Sequence, residues 1–271
     1  MFRQVASLAV SSDGKFLAFG GKDKLVHVWD VRGGTLASSF KGHRDTISCL
    51  AFQRGTHELF SGSHDRTIKV WNLDEMCYVE TLFGHQAEIT GISSLAKERC
   101  VSVSRDRSLR LWKVVEESQL IFRGHSASID CCAMSTEDWF VAGAADGGLS
   151  LWSTLKKKPT AVRRAAHGSD ANQIPHWISS VAALSYSNLV ASGSCDGFVR
   201  LWECSKDNCR LEEVAALPVP GFVNGLAFAS SGRFLLAGLG QEHRLGRWTR
   251  NAAARNGLAV LPLGPDEQGL G

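Results

Sequence analysis

Three sets of residues in this 271-residue chain have the types that perform acyl transfer: His43, Ser61 and Asp65; His85, Ser102 and Asp106; and His167, Ser192 and Asp196. A base, a hydroxyl nucleophile and an orienting carboxylate are what a hydrolase needs, but it needs them once, in one cleft. Here the set recurs, and six residues after each aspartate stands a tryptophan: Trp71, Trp112 and Trp202. Recurrence argues for structure. The aspartate accepts from the histidine, the histidine from the hydroxyl, and the hydroxyl meets the indole N–H, so four buried polar groups satisfy one another. The gaps agree with this, because Phe19, Ala142 and Gly238 stand where the first, fourth and sixth copies would carry the hydroxyl. A scaffold tolerates losing a hydrogen bond of about 1 kcal/mol; a triad does not tolerate losing its nucleophile. No catalytic residue is assigned, and the chain is not expected to be an enzyme.

Metal and cofactor chemistry find no better footing. The eight cysteines include no C-x-x-C pair, and several lie in apolar runs such as CLAF and CCAM, where a thiol acts as a small hydrophobe. Gly20-Gly21, Gly33-Gly34 and Gly147-Gly148 fall at turns without the strand-to-helix context of a nucleotide loop. No metal site and no cofactor are expected.

The elements that carry these sets repeat. Six tryptophans close similar segments, at Trp29, Trp71, Trp112, Trp152, Trp202 and Trp248, spaced 42, 41, 40, 50 and 46 residues apart. Asp23, Asp65, Asp106, Asp146 and Asp196 precede the first five by six residues, and Glu242 precedes the sixth. Gly-His recurs at 42–43, 84–85 and 124–125 and weakens to Ala166-His167. A period of 40–45 residues with Gly-His and Trp endings is the signature of WD40 repeats. In the second copy, ISCLAF, ELFSGS, TIKVW and YVETLF read as four short strands, with no helical period. The fold class is therefore all-β: a WD40 β-propeller of six four-stranded blades over residues 1–263, followed by a flexible tail, 264–271. LAVLPL (258–263) is expected as an outer strand of the last blade.

The formal net charge is only +3, with 44% hydrophobic and 21% charged residues, so bulk charge does not announce a nucleic-acid binder. No apolar run approaches a membrane helix and the amino terminus lacks a leader pattern, so neither membrane insertion nor secretion is expected. Basic residues nevertheless cluster beside the Asp turns: Lys22, Arg44, His64, Arg66, Arg105 and Arg107. The atypical GQEHRLGRW adds Arg244, Arg247 and Trp248, and the long fifth-repeat loop SDANQIPHWISS brings Pro175, His176 and Trp177. An exposed Trp177 would be a contact residue; packing the loop onto its blade is at least as good a reading. KKKPTAVRR (156–164) fits a localisation signal, an RNA-facing patch or, most often, a solvated strand edge.

Several strings carry a resemblance: FKGHRDTISCLAFQRGTHELFSGSHDRTIKVWNLDE, YVETLFGHQAEI, EESQLIFRGHSASIDC, WISSVAALSYSNLVASGS and, most specific, GLGQEHRLGRW. Over residues 5–262 the chain resembles the WD-repeat proteins of the U3 small nucleolar ribonucleoprotein. The resemblance implies a nucleolar, nuclear protein that binds U3 small nucleolar RNA with the box C/D core proteins and other small-subunit processome components during rRNA processing and ribosome biogenesis. It also implies seven blades and a basic extension ahead of the matched part, so six blades leave the ring one short. The expected RNA contacts are Arg44, His64, Arg66, Arg105, Arg107, Arg244 and Arg247. A rival from another class rests on WDVR (29–32), which resembles the box of cullin-type ubiquitin-ligase receptors and would make Arg32 an adaptor contact.

Overall fold

A computed structural model describes residues 4–205, 208–244 and 246–264, without the side chains of 247–249; within the expected tail, residues 265–271 lie outside the described residues. Blade one comprises β1 (Val5–Val10), β2 (Phe16–Gly21), β3 (Val26–Asp30) and β4 (Thr35–Phe40). Blade two comprises β5 (Ile47–Phe52), β6 (Glu58–Ser63), β7 (Thr67–Asn72) and β8 (Cys77–Phe83). Blade three comprises β9 (Ile89–Ser94), β10 (Arg99–Ser104), β11 (Ser108–Lys113) and β12 (Ser118–Arg123). Blade four comprises β13 (Ile129–Thr136), β14 (Trp139–Ala144), β15 (Leu149–Ser153) and β16 (Ala161–Arg163). Blade five comprises β17 (Ser180–Ala183), β18 (Leu189–Gly193), β19 (Phe198–Ser205) and β20 (Arg210–Pro218). In each of these, neighbours in sequence pair antiparallel.

A middle blade is covered on both faces, so its strands read as nearly unbroken apolar runs such as WFVAGA and LSLWS. The tight turn between second and third strands is held by its aspartate. In blade two the Thr67 N–H donates to Asp65 Oδ1 at 2.9 Å and the Arg66 N–H to the Ser63 carbonyl. The residue after the aspartate must turn left-handed: φ is 66° at Lys24, 71° at Arg66 and 64° at Arg107, where blades four and five place Gly147 and Gly197.

Blade six departs from the expected four strands. β21 (Phe222–Phe228) and β22 (Phe234–Gly240) pair normally, but the next segment forms a separate hairpin, β23 (Glu242–His243) with β24 (Gly246–Arg250). The Trp248 segment therefore does not supply the third strand. β25 (Gly257–Pro262) takes that place, pairing Leu236 with Val260, so LAVLPL is the edge of a three-stranded sheet. Register also reassigns the missing hydroxyl: Ser61 lies opposite Leu50, and its counterpart opposite Leu226 is Ala237, not Gly238.

Five apolar clusters join the blades in sequence, one to two through five to six. In four of these seams the later blade's tryptophan is buried against the earlier blade; Trp71, for example, stacks on Phe40 with centroids 4.9 Å apart. Second-strand glycines let the inner strands close up. A Cβ at Gly20 would strike Ile47, at Gly62 Ile89, at Gly143 Ile178 and at Gly193 Val223, each on the next blade. Among the described residues no cluster joins blade six to blade one, and Gly238, the counterpart in β22, meets only its own blade. Among the described residues that seam is therefore the one without a shared apolar cluster.

This contrast predicts opposite responses to one methyl group. Gly193→Ala forces Val223 aside and should cost about 1–3 kcal/mol, whereas Gly238→Ala should leave stability essentially unchanged. Urea denaturation of the two variants beside the parent checks it.

Candidate nucleic-acid interface

The repeated polar sets come together as four-residue chains. His43 Nδ1 lies 2.9 Å from Asp65 Oδ2 and its Nε2 2.8 Å from Ser61 Oγ, while the Trp71 indole donates to the same Oγ at 2.8 Å. His85, Ser102, Asp106 and Trp112 repeat this geometry, as do His167, Ser192, Asp196 and Trp202. With the proton on Nδ1, the imidazole donates to the carboxylate and accepts from the hydroxyl. Ser61, Ser102 and Ser192 are fully buried, so no substrate carbonyl reaches them.

Two blades build related polar chains from other residues, which sequence spacing did not disclose. In blade four the hydroxyl absent at Ala142 comes from the third strand: Ser150 Oγ lies 2.7 Å from His125 Nε2 and accepts from the Trp152 indole at 2.7 Å. The signal is the serine in GLSLW, where blades one, two, three and five carry His27, Lys69, Arg110 and Arg200. In blade one, His27 on β3 bridges Asp23 at 2.7 Å and Ser39 at 2.8 Å, an i,i+4 Asp–His pair without any Gly-His loop.

The basic candidates divide between two places. Lys22, His64 and Arg105 occupy one register position, just before the turn aspartates, and with Arg244 they line a central cavity of about 850 Å³. Arg44 and Arg66 line a groove of about 480 Å³ between blades two and three, with Lys69. Arg107 is exposed on its turn and lines neither; the side chain of Arg247 lies outside the described residues. The charge is one-sided. At the two positions flanking the turn aspartate, blades one to three carry Lys22 and Lys24, His64 and Arg66, and Arg105 and Arg107; blades four and five carry Ala145 and Gly147, and Cys195 and Gly197.

The two departures from the repeat meet one another. The His243 ring of the extra hairpin packs on Trp177 of the fifth-repeat loop at 4.1 Å between centroids, and more loosely on Phe222. Trp177 is half-buried there, packing its loop down. Arg244 crosses the channel, its Nη2 donating to the Asp130 carbonyl of blade four at 2.9 Å. The loop itself is closed by Asp170, whose carboxylate accepts from the N–H groups of Asn172 and Ile174. KKKPTAVRR forms the exposed turn and outer strand of blade four, away from both cavities. Arg32 is exposed after β3, and Asp30 of WDVR caps that turn by accepting from the Arg32 and Gly33 N–H groups.

Six stacked β-blades, three of them bearing a complete Asp–His–hydroxyl–Trp chain, define a WD-repeat propeller. The family model for the WD domain, G-beta repeat, matches residues 2–30, 34–72, 76–113, 116–153 and 170–203, leaving the irregular sixth blade unmatched. The chain is 50% identical to human U3 small nucleolar RNA-interacting protein 2 over 263 residues, covering 96% of this chain and 55% of that protein. It is 30% identical to Ribosomal RNA-processing protein 9 of Saccharomyces cerevisiae, covering 95% of this chain and 57% of the relative. The solved structure of U3-55K superposes with a TM-score of 0.93 at 50% identity, over 96% of this chain and 81% of that one. The chain belongs to the U3 snoRNP-associated family of WD-repeat proteins, and it spans a little over half the length of these two relatives.

The buried chains and the hairpin set the pH response. Burial disfavours the charged form of His85, against the pull of Asp106, and lowers it from 6.5; burial lowers His125 likewise. Burial, with the Arg244 guanidinium adjoining, pushes His243 down to about 4. These rings are neutral in the fold and take up protons more readily when unfolded, so their stability is full above 6.5 and lost as pH falls. Burial alone would raise the carboxyls of Asp65, Asp106 and Asp196. Bonds led by those from His43, His85 and His167 instead hold them below 3.8, so their stability is lost only at still lower pH. His57, raised by its bond to Asp74, works in the opposite sense but is partly exposed. The melting temperature should therefore hold above pH 6.5 and decline in two steps on acidification, as calorimetry across pH would show.

Proposed function

We propose that the chain is a non-catalytic RNA-docking propeller of the U3 small nucleolar ribonucleoprotein. It holds U3 small nucleolar RNA, together with box C/D-type core proteins and other processome components, during small-subunit rRNA processing in the nucleolus. The observation that carries this reading is the one-sided basic rim of blades one to three. Arg66 and Arg107 occupy left-handed backbone positions that glycine fills in blades four and five. A non-glycine there costs about 1 kcal/mol or more, and such strain persists where a side chain has work to do. An arginine fan above a turn donates to phosphate oxygens without needing high net charge. Likeness to proteins named for U3 RNA and for rRNA processing supports the same assignment.

The strained arginines give a test that separates function from stability. Arg66→Gly and Arg107→Gly should keep or raise the melting temperature while weakening U3 RNA binding. Each lost phosphate contact should also flatten the log–log salt dependence of the affinity by about one unit. Arg163→Ala, on the outer edge of blade four, should alter neither quantity. Filter binding across a salt series reads the outcome, and unchanged affinity in both glycine variants would remove the rim from the reading.

A further inference from the structure

The groove that takes Arg44 and Arg66 also holds an aromatic side chain that no packing demand explains. The Gly-His loops at 42–44 and 84–86 line it, together with the start of β7 and the end of β8. Phe83, the last residue of β8, is the one large apolar side chain among those lining residues, and it is 70% exposed. It belongs to none of the five apolar clusters. The residues before the other two Gly-His pairs are Lys41 and Arg123, side chains that suit a solvated position. Blade two alone places a bare ring there.

The cations beside the ring are equally distinct. Four residues after the turn aspartate, Arg200 is paired with Asp196 and Glu213, and Arg110 is buried with its Nη1 on Gln119. Lys69, at that position in blade two, keeps its charge without a carboxylate: its Nζ donates to Thr81 Oγ1 at 2.7 Å and lies over the Tyr78 ring. Among the described residues the side chains of Arg44 and Arg66 form no ion pair either. The Arg44 backbone is fixed from both sides, its N–H donating to Asp65 Oδ2 at 2.8 Å and its carbonyl accepting from Lys24 Nζ at 2.7 Å. Three cations thus share the groove with one carboxylate, Asp65, whose oxygens are already occupied by His43, Thr67 and the Arg44 N–H.

We propose that this groove binds one unpaired nucleotide of RNA, its base stacked on Phe83 and its flanking phosphates held by Arg44 and Arg66. The inference rests on the RNA-docking reading of the rim and adds the form in which RNA meets it. Free phosphate would engage the cations and leave Phe83 in water. An apolar side chain or lipid tail would need enclosing apolar walls, whereas the residues around Phe83 are glycine or polar. A duplex brings phosphates but no open π-face, because each base is covered by its neighbours in the stack. A nucleotide out of its stack brings all three parts: a flat face for the ring, polar edges for Thr67 and Gln86, and phosphates for the arginines. The groove's volume of about 480 Å³ falls among small-ligand sites, which run from about 300 to 1,000 Å³.

The test uses the full 271-residue chain and two fluorescein-labelled probes, pentaadenylate RNA and a pentamer of abasic spacers with the same phosphates, read by anisotropy. Adenine serves because stacking on an aromatic ring tolerates any base. Phe83→Ala should weaken pentaadenylate binding by about 5- to 150-fold, the loss of one stacked base. It should leave the melting temperature and the affinity for the abasic pentamer unchanged. Phe83→Trp should restore pentaadenylate binding, and Phe83→Leu should not. No binding of pentaadenylate by the parent chain at low salt, an equal loss for both probes, or full restoration by leucine would overturn the proposal. Displacement of pentaadenylate by an equimolar acidic peptide, four glutamates around a phenylalanine, would assign the groove to a protein segment and overturn it too. Arg107 lies outside the groove, so U3 RNA binding weakened by Arg107→Gly, with pentaadenylate unmoved by Phe83→Ala, would overturn this inference and leave the rim reading standing.

Discussion

A four-stranded blade has two apolar faces and too little thickness to hide either, so no blade of this protein stands without a neighbour. The structure meets that constraint by laying each blade on the next about one shared apolar seam. Tryptophan seals the outer part of the seam in four of the five interfaces, and glycine lets the inner strands approach. Burying the tryptophan creates the next demand, a partner for its indole N–H. The hydroxyl, histidine and aspartate answer it in turn, and the aspartate ends the chain by fixing the turn that points Arg66 or Arg107 outward. What resembles a triad is thus the polar consequence of apolar packing, and the basic rim is built on its last link.

Much of this was legible in the residues. Tryptophan spacing locates the blades, and the aspartate six residues earlier locates the turns, because both follow from one strand geometry repeated. Compensations were not legible. Ser150 replaces the hydroxyl missing at Ala142 from a neighbouring strand, and register, not sequence distance, brings them together. The sixth blade misled for the same reason: GRW has the ending of a third strand, but its pairing partner is Glu242–His243, and β25 fills the vacant edge. Trp177 was ambiguous until His243 proved to be its partner, a contact between segments more than sixty residues apart.

The rim and the extra hairpin of blade six meet at one cavity. Blades one to three carry the strained arginines and the cavity-lining Lys22, His64 and Arg105, while the extra hairpin of blade six brings Arg244 to the same cavity. Charge gathers there although the chain is nearly neutral overall, because the turn positions of successive blades converge on one face. The perimeter run KKKPTAVRR is as basic locally but sits on an edge strand facing outward.

Ultraviolet crosslinking of U3 small nucleolar RNA to the intact chain, with the attachment sites read by mass spectrometry, tests the central claim most directly. Crosslinks should fall on the turns at 22–24, 44, 64–66 and 105–107, on the face of blades one to three. Crosslinks confined to the perimeter at 156–164, or spread evenly over all six blades, would contradict it.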